Sequence, residues 1–193
     1  VGKDNLLTGM IIGIDPGSRG AAVAINRERD YISECRFTKD ISQFYQWLRH
    51  EVEYHFSWET IFYFEDVHSF SKDAKSTAFT FGRNTGFIEG QIQVHYSKED
   101  IAYVQPQTWQ REFNLGAKFS NQAARKRAHL IKAKLLFPKA HITLDTCDAY
   151  LIAEYGYRKT FNSTLPDVKP KRIIGAGRNP AVPSNTDKAK RCH

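Results

Sequence analysis

Three short apolar runs crowd the start of the chain: Met10–Asp15 (MIIGID), Ala21–Ile25 (AAVAI) and Tyr31–Phe37. Few residues separate each run from the next, and the first gap holds Pro16, Gly17 and Gly20. Parallel neighbours need a crossover of about a dozen residues or more, whereas antiparallel neighbours can be joined by a tight turn. The runs therefore predict an antiparallel three-stranded meander. The pattern then changes to helical spacing, with apolar residues at 41, 44, 45, 48 and 52 between Ile41 and His55. Ile61–Phe64 reads as a buried strand ending in Glu65–Asp66, Ser76–Tyr96 as a long helix, and Ile101–Val104 as a short strand ended by Pro106. Helices follow over Thr108–Phe113, Asn121–Phe137 and Asp145–Tyr157. This order predicts an α/β fold with a mixed five-stranded sheet and helices on both faces.

Beyond Arg158 periodicity stops, and Pro166, Pro170, Pro180 and Pro183 stand among Gly, Asn and Ser. We expect one domain over 1–161 and a basic, mostly extended or disordered tail over 162–193. No apolar window approaches the length that spans a bilayer, and Leu6 and Leu7 run into Thr8 and Gly9 instead of a signal-peptide core. These features predict a cytoplasmic protein with no membrane partner. Cys35, Cys147 and Cys192 are odd in number and lack metal-ligand spacing. That argues against a disulfide framework, and Cys147 is expected as a small buried group.

The formal charge of +7 is unevenly spread. Residues 158–193 carry nine Lys/Arg against Asp167 and Asp187, and 111–139 carry eight against Glu112 alone. Each stretch is thus +7, and the remainder of the body is acidic. A basic stripe beside an acidic centre suits a protein that grips a polyanion and concentrates cations at one point.

Four acids give that centre a location. Asp15 and Glu65 each end a buried strand, and Asp145 and Asp148 stand at i and i+3, on one face of the first turn of the last helix. With the first and fourth strands adjacent, the strand-end acids face one cleft, to which a helix alongside presents the other two. Magnesium is held by one or two carboxylates plus substrate phosphates. Two such ions about 3.5 to 4 Å apart clamp the attacking and leaving oxygens of a displacement at phosphorus. Without metal, four acids so close repel, and at least one should have a raised pKa. His68, His129 and His141 are scattered and offer no zinc pattern.

The run IIGIDPGSRGAAVAI (11–25) resembles the opening strands of the RuvC-type Holliday junction resolvases, a branch of the RNase H-like nucleases. FEDV (64–67) is similar to their second acidic motif and LDTCDAYLIA (144–153) to their closing helix, in the family's order and across residues 10–157. SKDAKSTAFTFGRNTGFIEGQI resembles the helix after the second acid, and VQPQTWQREF followed by a basic helix and LFP is closer to phage-type members. The resemblance implies an RNase H-like fold and a homodimer that nicks a four-way DNA junction symmetrically. It implies water as nucleophile, Mg²⁺ or Mn²⁺ as cofactor with two ions per active site, and 5′-phosphate and 3′-hydroxyl products. Asp15, Glu65, Asp145 and Asp148 match the metal-binding acids.

The later of the family's catalytic lysines is matched best by Lys126, with Lys118 as the alternative, while Gln105 or Pro106 stands at the earlier one. The aromatic that stacks on DNA has no direct counterpart, and His68 or Phe70 lies nearest. Lys118, Arg125, Arg127 and Arg83 are the basic candidates for DNA contact. Gly82, Gly86 and Gly90 share one helix face and lead us to expect close approach by another backbone, at or beside a subunit interface. Competing readings are a sugar-kinase or actin-like ATPase, which also opens with IGID-x-G but needs further phosphate motifs, a non-catalytic nucleic-acid binder of the same fold, and a same-fold nuclease acting on other branched DNA or an RNA–DNA hybrid.

Overall fold

The computed structural model describes residues 9–37, 42–54, 59–66, 75–116 and 119–161; His68, Phe70, Lys118 and the expected tail over 162–193 lie outside the described residues. Five strands, β1 (Met10–Asp15), β2 (Ala21–Asn26), β3 (Ile32–Arg36), β4 (Thr60–Glu65) and β5 (Ile101–Val104), form one sheet in the order β3-β2-β1-β4-β5. The meander β1–β2–β3 is antiparallel, and β4 and β5 add to β1 in parallel. The β1–β2 turn closes through Gly20 N–H donating to the Gly17 carbonyl at 2.9 Å. A Cβ on Gly20 would overlap the Asp15 carbonyl oxygen, so the turn needs glycine there.

Helices cover both faces, as expected. Met10, Ile12, Ile14, Phe62 and Phe64 pack against Phe44 and Leu48 of α1 (Ser42–Tyr54) and Ile88 and Ile92 of α2 (Lys75–Gln93). On the other face, Ile11 and Val23 meet Trp109 of α3 (Pro106–Glu112), Ala133 of α4 (Gln122–Leu136) and Ala149, Ile152 and Ala153 of α5 (Cys147–Phe161). Side chains alternate along a strand. Asp15 therefore shares a face with Ile11 and Gly13, and Glu65 with Ile61 and Tyr63. Both acids point toward α5 from the C-terminal ends of neighbouring strands, where Ile14 stands opposite Phe64.

Helix α5 lies close on β1 because Gly13 has no side chain. A Cβ there would overlap the Ala153 backbone nitrogen and sit 2.6 Å from the Ala149 carbonyl oxygen. Gly156 likewise leaves room for the Tyr63 ring.

Two expected boundaries shift for local reasons. Pro106 begins α3 instead of merely ending β5, since its fixed φ and missing N–H suit the first helical position. The last helix begins at Cys147, not Asp145. Thr143 N–H donates to Thr146 Oγ1 and Cys147 N–H to the Thr143 carbonyl, which folds residues 144–146 into a preceding turn. Asn121 caps α4, its side chain accepting from Ala124 N–H. The glycine expectation is also corrected within the chain: a Cβ on Gly82, Gly86 or Gly90 would meet nothing within 4 Å, and the stripe faces open space beside exposed Phe79. Among the described residues, no helix is long and apolar enough to cross a membrane.

Candidate active site

Three of the four acids share one buried corner. Asp15, Glu65 and Asp148 are each less than a tenth exposed. Asp15 reaches it from the end of β1, with its Oδ1 accepting from Gly17 N–H at 3.0 Å. Glu65 comes from the end of β4, with Oε1 accepting from Trp109 Nε1–H at 2.9 Å. Asp148 lies in the first turn of α5, where a negative charge favours the helix dipole. Its Oδ2 accepts from Lys126 Nζ at 2.7 Å, and its Oδ1 is 2.9 Å from His129 Nδ1.

Asp145 is set apart from this corner. Its side chain is half exposed and its nearest described ion-pair partner is Arg19, at 3.9 Å. It stands at the mouth, lining a cleft of about 550 Å³ with Arg19, Asn121, Gln122, Lys126 and Leu144. The i, i+3 expectation on one helical turn thus gives way to one acid on the helix and one on the turn before it.

The basic run on α4 fans out, because successive helical residues point about 100° apart. Lys126 turns inward to Asp148, with His129 and Ala133 following at i+3 and i+7. Arg125 and Arg127 stay exposed, and Arg125 lines a second cleft of about 500 Å³ with Gln110, Leu115, Phe119 and Gln122. Arg83 is exposed on α2, whose core residues pack on the sheet face away from the acids.

Electrostatics follow from the crowding. Burial, then the charges of Asp15 and Asp148, push Glu65 up to about 8, as Trp109 and Lys126 only partly compensate. Burial and Asp148 likewise raise Asp15 to about 6, against Lys126 and the Gly17 N–H. Asp148 is pushed up by burial too, but the His129 hydrogen bond and the Lys126 charge outweigh it and hold the group at about 2. Cys147 beside it is buried and raised by burial and by Asp148, so the thiol stays neutral and packs as a small group.

A carboxylate raised in the folded state stabilises the fold below its unfolded pKa, and that contribution is lost as pH rises through the folded value. Metal-free protein should therefore melt lower as pH rises from about 5 to about 8, the window set by Asp15 and Glu65. Asp148 has the opposite sign and acts only as pH falls toward 2. We expect a drop of roughly 5 °C or more, since each kcal/mol is worth about 2–4 °C in a chain this size. Saturating Mg²⁺ should remove most of it, because a bound cation favours the ionised acids. Melting curves at pH 5 and 8, with and without Mg²⁺, check both expectations.

The donor set is all oxygen, which suits a hard divalent cation. Among the described residues, no three His, Cys, Asp or Glu side chains close up into a ready cage. Mg²⁺ needs only one or two carboxylates from the protein, with water and substrate phosphate completing its shell. Burial first, and then mutual repulsion, raise Glu65 and Asp15, and a cation bound there would favour the ionised form of both.

Two buried partners, Trp109 and His129, were not expected from sequence. The readable signal was the i, i+3 spacing of Lys126 and His129, which sets the imidazole on the same inward face as the lysine.

No protein-family model matches the chain, and no curated protein shows significant similarity to it. Among solved structures, T. thermophilus RuvC in complex with Holliday junction substrate superposes with a TM-score of 0.50 at 10% identity, over 78% of this chain and 94% of that one. The chain has the RuvC fold. The expected RNase H-like architecture is thereby borne out: a mixed five-stranded sheet between helices, resembling RuvC over nearly the whole length of that protein.

Proposed function

We propose that this protein is a divalent-metal-dependent endonuclease that resolves four-way DNA junctions. The observation that carries the reading is the convergence of Asp15, Glu65 and Asp148 in one buried corner with Lys126 among them. Asp15, Glu65 and Asp148 would hold Mg²⁺ or Mn²⁺, with Asp145 adding a fourth carboxylate from the cleft mouth. The bound ions would supply Lewis-acid stabilisation and a more acidic water at neutral pH. Lys126 then stands where it can leave Asp148 for a phosphate oxygen and stabilise charge developing there. Burial of the acids excludes bulk water, which strengthens each of these interactions. The junction as substrate is supported by the fold shared with RuvC, whose solved complex contains one. Cleavage of a four-way junction, a flap and an RNA–DNA hybrid in parallel with Mg²⁺ tests the choice. Preference for the hybrid or the flap would replace the junction with that substrate.

The exposed Arg125 and Arg127 would contact phosphate, with Lys118, His68 and Phe70 as further contacts and Arg83 as a distal one. Each phosphate contact on duplex DNA contributes a slope of about −0.9 to the dependence of log affinity on log salt. Replacing Arg125 and Arg127 by Ala should flatten the slope by one to two contacts and weaken junctions and duplexes alike, in binding titrations at several salt concentrations. Lys126→Ala should instead lower turnover more than affinity; loss of affinity alone would make Lys126 an ordinary backbone contact.

The open stripe Gly82, Gly86 and Gly90, with exposed Phe79 beside it, supports a homodimer through α2. Sedimentation as a monomer at micromolar concentration would remove that support. The basic segment 162–193 would add non-specific attraction to DNA.

A further inference from the structure

Glu65 and Asp148 are each held by a buried aromatic ring from a different helix. Trp109 of α3, fully buried, donates its only polar hydrogen to Glu65 Oε1. His129 of α4 is 1% exposed and meets Asp148 Oδ1 through Nδ1. An ionised carboxylate only accepts, so Nδ1 carries the hydrogen of this bond. The rings also touch each other edge to face, with centroids 5.3 Å apart at 71°. Neither bond is with a mobile group: both rings sit in the core between the helices and the sheet.

The other side of the imidazole is informative. His129 Nε2 is buried and has no hydrogen-bond partner among the described residues. An unmet buried polar atom costs about 1–3 kcal/mol, and an apolar side chain of similar shape would avoid that cost. Stability alone does not account for a histidine here. What the imidazole adds is one directed N–H at Asp148.

We propose that Trp109 and His129 are a coupled pair of positioning residues, each ring N–H fixing one metal-binding carboxylate and each ring fixing the other. Carboxylates on strand ends and helix starts rotate freely unless a second bond holds them, and an ion needs their oxygens preset. Groups that orient metal-binding side chains in this way are worth about 10- to 100-fold in metal affinity. The role rests on the reading of Glu65 and Asp148 as metal-binding acids.

Mn²⁺ binding to the DNA-free full chain, followed by the electron paramagnetic resonance signal of the free ion, tests the pair. Trp109→Phe keeps a packed ring and removes the N–H. His129→Leu removes the N–H and the unmet Nε2 together. Both should weaken Mn²⁺ about 10- to 100-fold, while circular dichroism in EDTA reports a folded protein. His129→Asn places an amide N–H where Nδ1 was, and should recover affinity to within about threefold of wild type by restoring that bond. Should the Leu variant fail to fold, His129→Gln replaces it, since its amide reaches the Nε2 position and leaves Asp148 Oδ1 without the ring N–H, while Lys126 still meets Oδ2. Wild-type affinity in Trp109→Phe and in the folded His129 variant overturns the proposal, as does an Asn variant no better than Leu or Gln. Glu65→Gln and Asp148→Asn separate this failure from a deeper one: if they too bind Mn²⁺ like wild type, the metal-centre reading itself fails.

Discussion

Asp148→Asn should abolish junction cleavage and leave junction binding intact. Asparagine keeps the shape of the side chain, so packing in the first turn of α5 is preserved. It removes the one acid of the corner that is firmly ionised, held at about 2 by His129 and Lys126 against its burial. A neutral amide is a poor partner for a hard cation. The stabilisation lost is several kcal/mol, which at about 1.4 kcal/mol per tenfold is on the order of a 1000-fold fall in rate. Binding should hold or tighten, because a negative charge leaves the path of the phosphate and Lys126 is released from its 2.7 Å contact to meet it. Single-turnover cleavage in Mg²⁺ and a mobility shift in EDTA read the two effects separately. A folded variant that loses binding along with cleavage would count against Asp148 as a metal-binding acid.

Gly13→Ala should cost both the fold and the activity, although it adds only one methyl group. The new Cβ would meet the Ala153 backbone nitrogen and, at 2.6 Å, the Ala149 carbonyl oxygen. These are helix backbone atoms, with no flexible side chain to swing aside. Overpacking costs about 1–3 kcal/mol in general and more where nothing can yield, so we expect about 3 kcal/mol or more. In a chain this size that is roughly 6–12 °C in Tm. The surviving protein must lift α5 off β1, and that motion parts Asp148 from Asp15. Melting and cleavage should therefore fall together. A Tm within about 2 °C of wild type, less than 1 kcal/mol, would mean that α5 does not rest on β1 as described.

Much of this was legible in the chain itself, and the exceptions share a cause. The meander, β5 and the placement of Asp15 and Glu65 on one sheet face follow from short connections and a period of two, which are local. The glycines divide otherwise. Spacing pointed to Gly82, Gly86 and Gly90 as sites of close approach, yet the glycines that let α5 pack closely on the sheet are Gly13 and Gly156. Whether a glycine is covered depends on what packs over it, which spacing along one helix does not encode. The same holds for Asp145, whose i, i+3 relation to Asp148 required a helix that a Thr143–Thr146 bond delays by two residues. Trp109 and His129 look like ordinary core residues until the acids they hold are in place.

The most direct measurement is cleavage of an end-labelled four-way junction by the full chain in Mg²⁺, mapped on all four strands, with EDTA and Asp15→Asn alongside. The expected result is paired nicks at symmetric positions on two opposed strands, with 5′-phosphate and 3′-hydroxyl ends, absent in EDTA and in the Asn variant. An intact junction in both Mg²⁺ and Mn²⁺, with folded protein bound to it, or nicking that persists in Asp15→Asn, would contradict the assignment of these acids to a metal-dependent junction nuclease.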